Sequence, residues 1–409
     1  MNITVIGAQW GDEGKGKIVD YLAKDADLIV RFSGGANAGH TIVHGNVTYK
    51  LHLIPSGILY PGKKVILGTG MVIDPEALFT ELKTLEEQGV PWEGRVFVSG
   101  RAHIVLPSYK KKDIEIDKKR KRPIGTTGRG IGVTYSKKSM RDGLRLVDLF
   151  NPDKMSLMEE ADRKFLEGFL VRLKPMLVDV TAYIQHNRPS RMLLEGAQGV
   201  LLDLDLGTYP YVSSGYSAAA GAALGAGIGP RTIDGILGVF KAYSTRVGNG
   251  PFPTEFIQER DGKLEHLIRE IGHEYGVTTG RPRRCGYLDL VALKYACFSN
   301  GIDGLVLTHL DVYDTMTSLN ACVAYSIDGE ETTDFPMGLP ELERAQPVLK
   351  EFVGWHEPIT QVAHFDNLPQ AAKDYIAFIE DYTGTKITIV SVGSDRNQTI
   401  LRREPWTKY

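Results

Sequence analysis

The chain has 409 residues, 42% of them hydrophobic and 24% charged, enough apolar material for one large α/β domain or two ordinary ones. Its net charge of −2 argues against a general nucleic-acid binder, so any anionic ligand must meet local positive charge. Cys285, Cys297 and Cys322 have no zinc-type spacing and read as thiols of a reducing compartment. No apolar stretch would span a bilayer, and MNITVIG is strand-like with no signal-peptide pattern, so the expected location is the cytoplasm.

In chain order, the β-rich runs are ITVIG, LIVRF, VILGTG, VFVSG, RMLLEG, GILGVFKAY, GLVLTH and ITIVSVG. Helical patterns lie between several of them. One opens at Asp74-Pro75, a cap followed by proline at the first helical position, and stops near Gly89. Others are a long stretch from Asp153 to about Gln185, the segment after Asp289, and Pro369 to Tyr382 before Gly384. HTIVHGNVTYKLHLI alternates apolar and polar residues around His44-Gly45-Asn46, which predicts a hairpin. Strands apolar on both faces that alternate with helices predict an α/β fold: a large, mostly parallel central sheet flanked by helices, with inserted helical subregions. No repeat or linker interrupts the chain, so a single domain over 1–409 is the simpler reading.

The polar, glycine-rich segments GAQWGDEGKGK, SGGANAGHT, EGAQG, STRVGNG, THLD and SVGSDR follow strands, where open parallel sheets bind ligands. Gly11-x4-Gly16-Lys17 has P-loop spacing, but Ile18 stands where Ser or Thr would bind magnesium. Backbone N–H groups there would receive phosphate oxygens, with charge from Lys15 and Lys17. Asp12, a second anion in an anion-binding loop, is placed to supply the missing metal ligand; it could equally cap the helix. Asn37 and His40 in SGGANAGHT offer hydrogen bonding and an acid or donor, although a surface-loop histidine would look the same. TTGRPRR packs Arg281, Arg283 and Arg284 into a short loop, suited to a multi-anionic substrate or to plain solvation. Asp311 in THLD can accept from guanine N1–H and the 2-amino group together, or cap a helix. The run KKKDIEIDKKRKR reads as a solvated face.

Taken together, GDEGKGK, SGGANAGHT, GTTGRGIG, EGAQG, GTYPYVSS, KAYSTRVGNGPFPTE, TTGRPRR, THLD and SVGSDR resemble the adenylosuccinate synthetase family, in order and over essentially the whole chain. The resemblance implies a ligase that joins IMP and L-aspartate into adenylosuccinate, cleaves GTP to GDP and phosphate, requires Mg2+ and works through a 6-phosphoryl-IMP intermediate in AMP synthesis. It implies that Asp12 is the base that takes the IMP N1 proton and also a magnesium ligand, with the Gly39 carbonyl as the second protein contact to the metal. His40 is then the donor to the 6-oxygen, and Lys15 and Gln198 complete the catalytic set.

By the same resemblance the GTP site comprises Gly11 to Lys17 (Asp12, Glu13, Gly14, Lys15 and Gly16 between them), Gly39, His40, Thr41, Arg283, His309, Leu310, Asp311, Ser391, Val392 and Gly393. The IMP site shares Asp12 to Lys15 and adds Asn37, Ala38, Gly39, His40, Thr127, Gln198, Ser213 and Arg281, with Arg141 reaching in from the other subunit of a homodimer. Aspartate falls to Arg129, Val277, Thr278, Thr279, Gly280, Arg281 and Arg283. Ser213 departs from the usual threonine, Val133 and Ser394 from proline, and His309 from the lysine whose stem lies along guanine; the stretch between Arg141 and Gln198 is short. Two rivals are a phage branch that uses a guanine nucleotide as acceptor and lacks the aspartate matching Asp12, and a GTP-binding switch that performs no synthesis.

Overall fold

The computed structural model describes residues 1–45, 47–276, 280 and 282–407. Among them, ten strands form one sheet: β1 (Asn2–Gly7), β2 (Leu28–Arg31), β3 (Lys64–Leu67), β4 (Val96–Ser99), β5 (Leu177–Val178), β6 (Met192–Glu195), β7 (Gly235–Lys241), β8 (Gly304–Thr308), β9 (Ile387–Ser391) and β10 (Thr399–Leu401). Their order is β10-β9-β8-β7-β1-β6-β2-β3-β4-β5, parallel throughout except for the antiparallel β9–β10 pair. All eight β-rich runs lie in this sheet. The two- and three-residue edge strands β5 and β10 have no such run of their own.

The sheet is buried on both faces because its strands carry apolar side chains in both directions. Ile3 and Val5 of β1 pack into one core with Val19 and Leu22. Ile6 and Ala8 point into the other, with Val30, Phe32 and Phe240. The helices include α1 (Lys15–Ala23), α2 (Pro75–Glu87), α3 (Pro107–Lys119), α4 (Ile131–Met140), α5 (Gln258–Ile271), α6 (Leu290–Asn300) and α7 (Gln370–Thr383). Of these, α1, α2, α6 and α7 bury apolar faces in the two cores beside the sheet, whereas α3 packs on α4. Local chemistry sets their ends. Asp74 accepts from the Ala77 N–H at the start of α2, and Asp289 from the Ala292 N–H at the start of α6. Gly384 closes α7 in the left-handed region.

Two features differ from the sequence reading. The stretch expected to be one long helix from Asp153 to Gln185 is instead four short helices (Pro152–Ser156, Glu160–Glu167, Leu170–Leu173 and Val180–Asn187) with β5 before the last. Pro175 explains part of the break, since it lacks the N–H a continuing helix needs. Ser318–Ile327 pairs with Gln346–Val353 and Glu330–Thr332 in a small second sheet that packs against α6 and was not anticipated. The hairpin is His40–His44 against Val47–Leu51 as expected, although Asn46 of its turn lies outside the described residues.

Candidate active site

The carboxyl ends of β1, β2, β6, β8 and β9 open onto one cavity of about 720 Å³. After β1 the chain turns through Gly11 (φ 88°), Asp12 (φ 59°) and Gly14 (φ 81°) before α1 begins at Lys15. Aspartate is among the few side chains that tolerate the left-handed region, and here it puts an acid into the loop. Glu13 has a different task. It is fully buried, its Oε1 accepts from the N–H of Gly11 (2.8 Å) and Gln9 (3.2 Å), and its Oε2 accepts from Lys15 Nζ (2.5 Å). It braces the loop from beneath. A Cβ on Gly199 would come within 2.5 Å of Glu13 Oε1 and 2.2 Å of the Gln9 carbonyl, so EGAQG ends in glycine where the two loops touch.

Lys17 also differs from the phosphate cation that its spacing suggested. Its ammonium donates to Ser391 Oγ (2.7 Å) and to the carbonyls of Gly393 (2.8 Å) and Gln398 (2.9 Å). Burial brings this lysine down to about 8, against the pull of Asp311 and Asp395. It ties the phosphate loop to the loop after β9.

Asp12 faces a cation. Arg283 Nε lies 2.9 Å from Asp12 Oδ2, and Arg283 Nη1 donates to Glu274 Oε2 at 2.7 Å. Glu274 is buried and also accepts from Lys241 Nζ (2.5 Å) and the Tyr243 hydroxyl (2.6 Å). Burial alone would raise the Glu274 carboxyl, but Lys241, His309 and Arg283 hold it down at about 2. Glu274 was absent from the sequence reading, and Lys241 and Tyr243 entered it only as letters of KAYSTRVGNGPFPTE, with no role.

His40 opens the hairpin with its Nδ1 2.7 Å from Glu195 Oε1. Glu195 is fully buried at the end of β6 and accepts from the Ser56 N–H (2.9 Å) and hydroxyl (3.1 Å). Burial works to raise its carboxyl, but His40, Arg31 and the Ser56 N–H keep it below the usual carboxylate range. Burial also holds His40 below the ordinary histidine range, with Glu195 opposing. With Nδ1 turned to Glu195, the His40 Nε2 is left for the cavity. Glu195 was given no role in the sequence reading, although it closes the apolar run RMLLE and opens the EGAQG motif.

The remaining expected residues separate into groups. Asn37, Ala38, Gly39, Thr41, Thr127, Gln198, Ser213, His309, Asp311, Ser391 and Gly393 line the same cavity as Asp12 and His40. Ser213 Oγ is buried there with no hydrogen-bond partner among the described residues. Leu310 and Val392 are core residues beside it. Arg129 and Gly280 are not part of the lining, and Arg141 is exposed in the left-handed turn that ends α4 (φ 67°). Val277, Thr278, Thr279 and Arg281 lie outside the described residues.

The GTTGRGIG loop is held by two acids from the run read as a solvated face. Asp117 of α3 accepts from the N–H groups of Ile124 (2.8 Å), Gly125 (3.0 Å) and Thr126 (3.0 Å). Asp113 accepts from the Thr126 hydroxyl and the Gly130 N–H, both at 2.9 Å.

Among the described residues no three His, Cys, Asp or Glu side chains stand together as a metal cage. Magnesium does not need one, because it takes one or two protein oxygens and completes its shell with water and phosphate. Asp12 and Gly39 both line the cavity and offer such oxygens, so the residues fit the ion.

A phosphate loop and a cavity of this size at the strand ends of a parallel sheet define an α/β enzyme that handles nucleotides. A model of the adenylosuccinate synthetase family matches residues 4–400. The adenylosuccinate synthetase of Thermoanaerobacter sp. (strain X514) is 46% identical over 428 aligned positions that cover 98% of this chain and 99% of the relative. That alignment is longer than the 409 residues here, so this chain lacks residues the relative has. The solved structure of fully ligated adenylosuccinate synthetase from Plasmodium falciparum matches with a TM-score of 0.91 at 37% identity, over 98% of this chain and 99% of that one. Succinoaminodeoxyadenylate synthetase of cyanophage S-2L, solved with dGMP and dATP, shares the fold at a TM-score of 0.66 and 20% identity, over 98% and 95% of the two chains. This chain belongs to the adenylosuccinate synthetase family.

Proposed function

We propose that this enzyme joins IMP and L-aspartate into adenylosuccinate while GTP is cleaved to GDP and phosphate. The observation that carries the reading is an acid, Asp12, in the left-handed turn of a phosphate loop whose cavity also holds His40. The carbonyl oxygen at position 6 of IMP cannot leave unaided. Asp12 takes the N1 proton, the 6-oxygen attacks the γ-phosphorus of GTP, and GDP departs. The aspartate amine then attacks C6, and phosphate leaves with the former carbonyl oxygen. His40, held through Nδ1 by Glu195, donates from Nε2 to the 6-oxygen as charge develops there. Lys15 supports the phosphoryl group, and Gln198 and the unpartnered Ser213 hydroxyl meet IMP.

Asp12 and the Gly39 carbonyl would hold Mg2+, which neutralises phosphate charge when bound. Asp311 with Ser391 and Gly393 reads guanine, and Arg283 serves the γ-phosphate and aspartate. The working form is a homodimer, in which the partner subunit's Arg141 reaches the IMP phosphate. The enzyme acts in the cytoplasm, as one domain. Among the described residues no helix is long and apolar enough to cross a membrane. The test is adenylosuccinate formation with each substrate omitted in turn. Product should require IMP, aspartate and GTP together; GTP cleavage that is indifferent to IMP and aspartate would leave a switch, not a ligase.

A further inference from the structure

His309 has a partner that no phosphate or base contact requires. It stands in the left-handed region (φ 56°) between β8 and the Leu310–Tyr313 turn, with its Nδ1 3.3 Å from the Tyr243 hydroxyl oxygen. Tyr243 is fully buried and donates to Glu274 Oε1 at 2.6 Å. A phenol has one proton, and an ionised carboxylate can only accept. Tyr243 therefore spends its proton on Glu274, and its oxygen accepts from His309, which carries its own proton on Nδ1. Burial and the nearby Lys241 ammonium bring the imidazole down to about 3, so the ring is neutral. It meets Tyr243 edge-on, with centroids 5.8 Å apart at 79°. Its Nε2 edge faces the phosphate loop, 3.8 Å from where a Cβ on Gly14 would lie. Beyond Glu274 the connection continues through Arg283 Nη1 (2.7 Å) and Arg283 Nε to Asp12 (2.9 Å).

We propose that His309 is a positioning residue that links the nucleotide-base end of the cavity to Asp12 through Tyr243, Glu274 and Arg283, so that how the base seats governs the chemical step and not affinity alone. The inference rests on GTP occupying this cavity, as proposed above. The physical basis is competition for one cation. Arg283 is shared between Asp12 and Glu274, and the share depends on how fully Lys241 and Tyr243 satisfy Glu274. A donor on the Tyr243 oxygen polarises its O–H and strengthens the bond to Glu274. A base pressed against His309 alters that donor, hence the hold of Glu274 on Arg283, hence the charge opposite Asp12. An ordinary base platform has no such route, and its loss would appear only in the KM for GTP.

The test is steady-state kinetics of His309→Phe, Tyr243→Phe and the double variant, with melting curves to confirm folding. Each single change should lower kcat about tenfold, and the double change no further than the worse single, because both cut one chain. His309→Asn, whose amide Nδ2 takes the place of the imidazole Nδ1 and whose side chain tolerates the left-handed region, should keep most of the wild-type kcat. Losses that multiply in the double variant, or a His309→Phe enzyme with raised KM for GTP and unchanged kcat, would overturn the proposal. If Tyr243→Phe does not fold, His309→Phe against His309→Asn decides, since equal kcat for the two also overturns it. A wild-type protein that forms no adenylosuccinate would reject the activity itself, an outcome distinct from any of these.

Discussion

Arg283 and Asp12 form an ion pair at 2.9 Å inside the cavity, so the carboxylate proposed as the base is already matched to a guanidinium. The first prediction follows from that pairing. Asp12→Asn keeps the shape of the side chain and removes both its basicity and its charge. It should lower kcat by about 10²–10⁴-fold, the usual worth of a positioned base, with an unchanged melting temperature. A folded variant that keeps more than about a tenth of wild-type kcat would remove Asp12 from that role.

Asp311 is partly buried in the cavity at the end of β8, and burial raises its carboxyl above the ordinary value, with Lys17 opposing. As an acceptor-only group when ionised it suits the two donors of the guanine edge and rejects adenine. Asp311→Asn should raise the KM for GTP and admit xanthosine triphosphate, whose edge pairs with an amide. Equal use of ATP and GTP by the wild-type protein would show the base is read elsewhere.

Arg141 is exposed at the end of α4 and is not part of the cavity lining of its own chain, and the proposal is that it serves the site of a partner subunit. Mixing Asp12→Asn subunits with Arg141→Leu subunits, each nearly inactive alone, tests this. In a heterodimer one site regains both native residues, and activity should return toward one working site per dimer. Demonstrated subunit exchange with no recovery means that the site is not shared.

Asp117 gathers three backbone N–H groups of the loop that carries Thr127. Hydrogen bonds to a charged group are worth about 1.5–3 kcal/mol each, so Asp117→Ala should loosen this loop without unfolding the protein. The expected signs are faster amide exchange at Ile124 to Thr126 and higher KM for IMP, with kcat less affected. Unaltered exchange at those amides would count against α3 as the anchor.

Glu274 supplies a pH signature. Its carboxyl is held at about 2 in the fold against an ordinary 4.5, so the fold favours the ionised form. The stability it contributes is therefore fully present above pH 4.5 and is lost as pH falls through about 2. Glu274→Gln strips the buried Lys241 of its carboxylate and should cost about 3–5 kcal/mol at neutral pH, the range for breaking a buried pair. Denaturant unfolding at pH 7 and pH 3 should show the gap between variant and wild type narrowing toward acid. A gap that is constant with pH would mean that Glu274 holds no ionised partner.

Most of the central sheet was legible because its strands are apolar on both faces, a pattern that neither hairpins nor surface helices share. β5 and β10 were not, since two or three residues carry no periodicity. The loops at the strand ends announced the cavity through their glycines and its chemistry through Asp12, His40 and Asp311. Glu195, Lys241, Tyr243 and Glu274 stayed hidden because their meaning lies in burial and in partners remote along the chain, as with Glu195 and Ser56, which are 139 positions apart. The run KKKDIEIDKKRKR shows both sides of the matter. Lys111, Lys112, Lys118 and Lys119 of α3 are exposed as expected, yet Lys110 pairs with the buried Asp74 at 2.6 Å, and Asp113 and Asp117 in the same run anchor a loop of the site.

The position of β1 has a consequence for how the protein is made. The earliest of the sheet's ten strands in chain order ends up at the middle of the sheet, between β6 (Met192–Glu195) and β7 (Gly235–Lys241). At synthesis rates of roughly 5–20 residues per second, it waits about ten to forty seconds before either neighbour exists. Until then Ile3, Val5 and Ile6, all fully buried in the finished molecule, have neither of the strands that pair with β1. The phosphate loop that follows them waits longer still, because Lys17 is fastened by Ser391, Gly393 and Gln398. The nucleotide site is thus completed last although its loop is synthesised first, and a nascent chain stalled before Met192 offers a chaperone the very strand around which the enzyme is built.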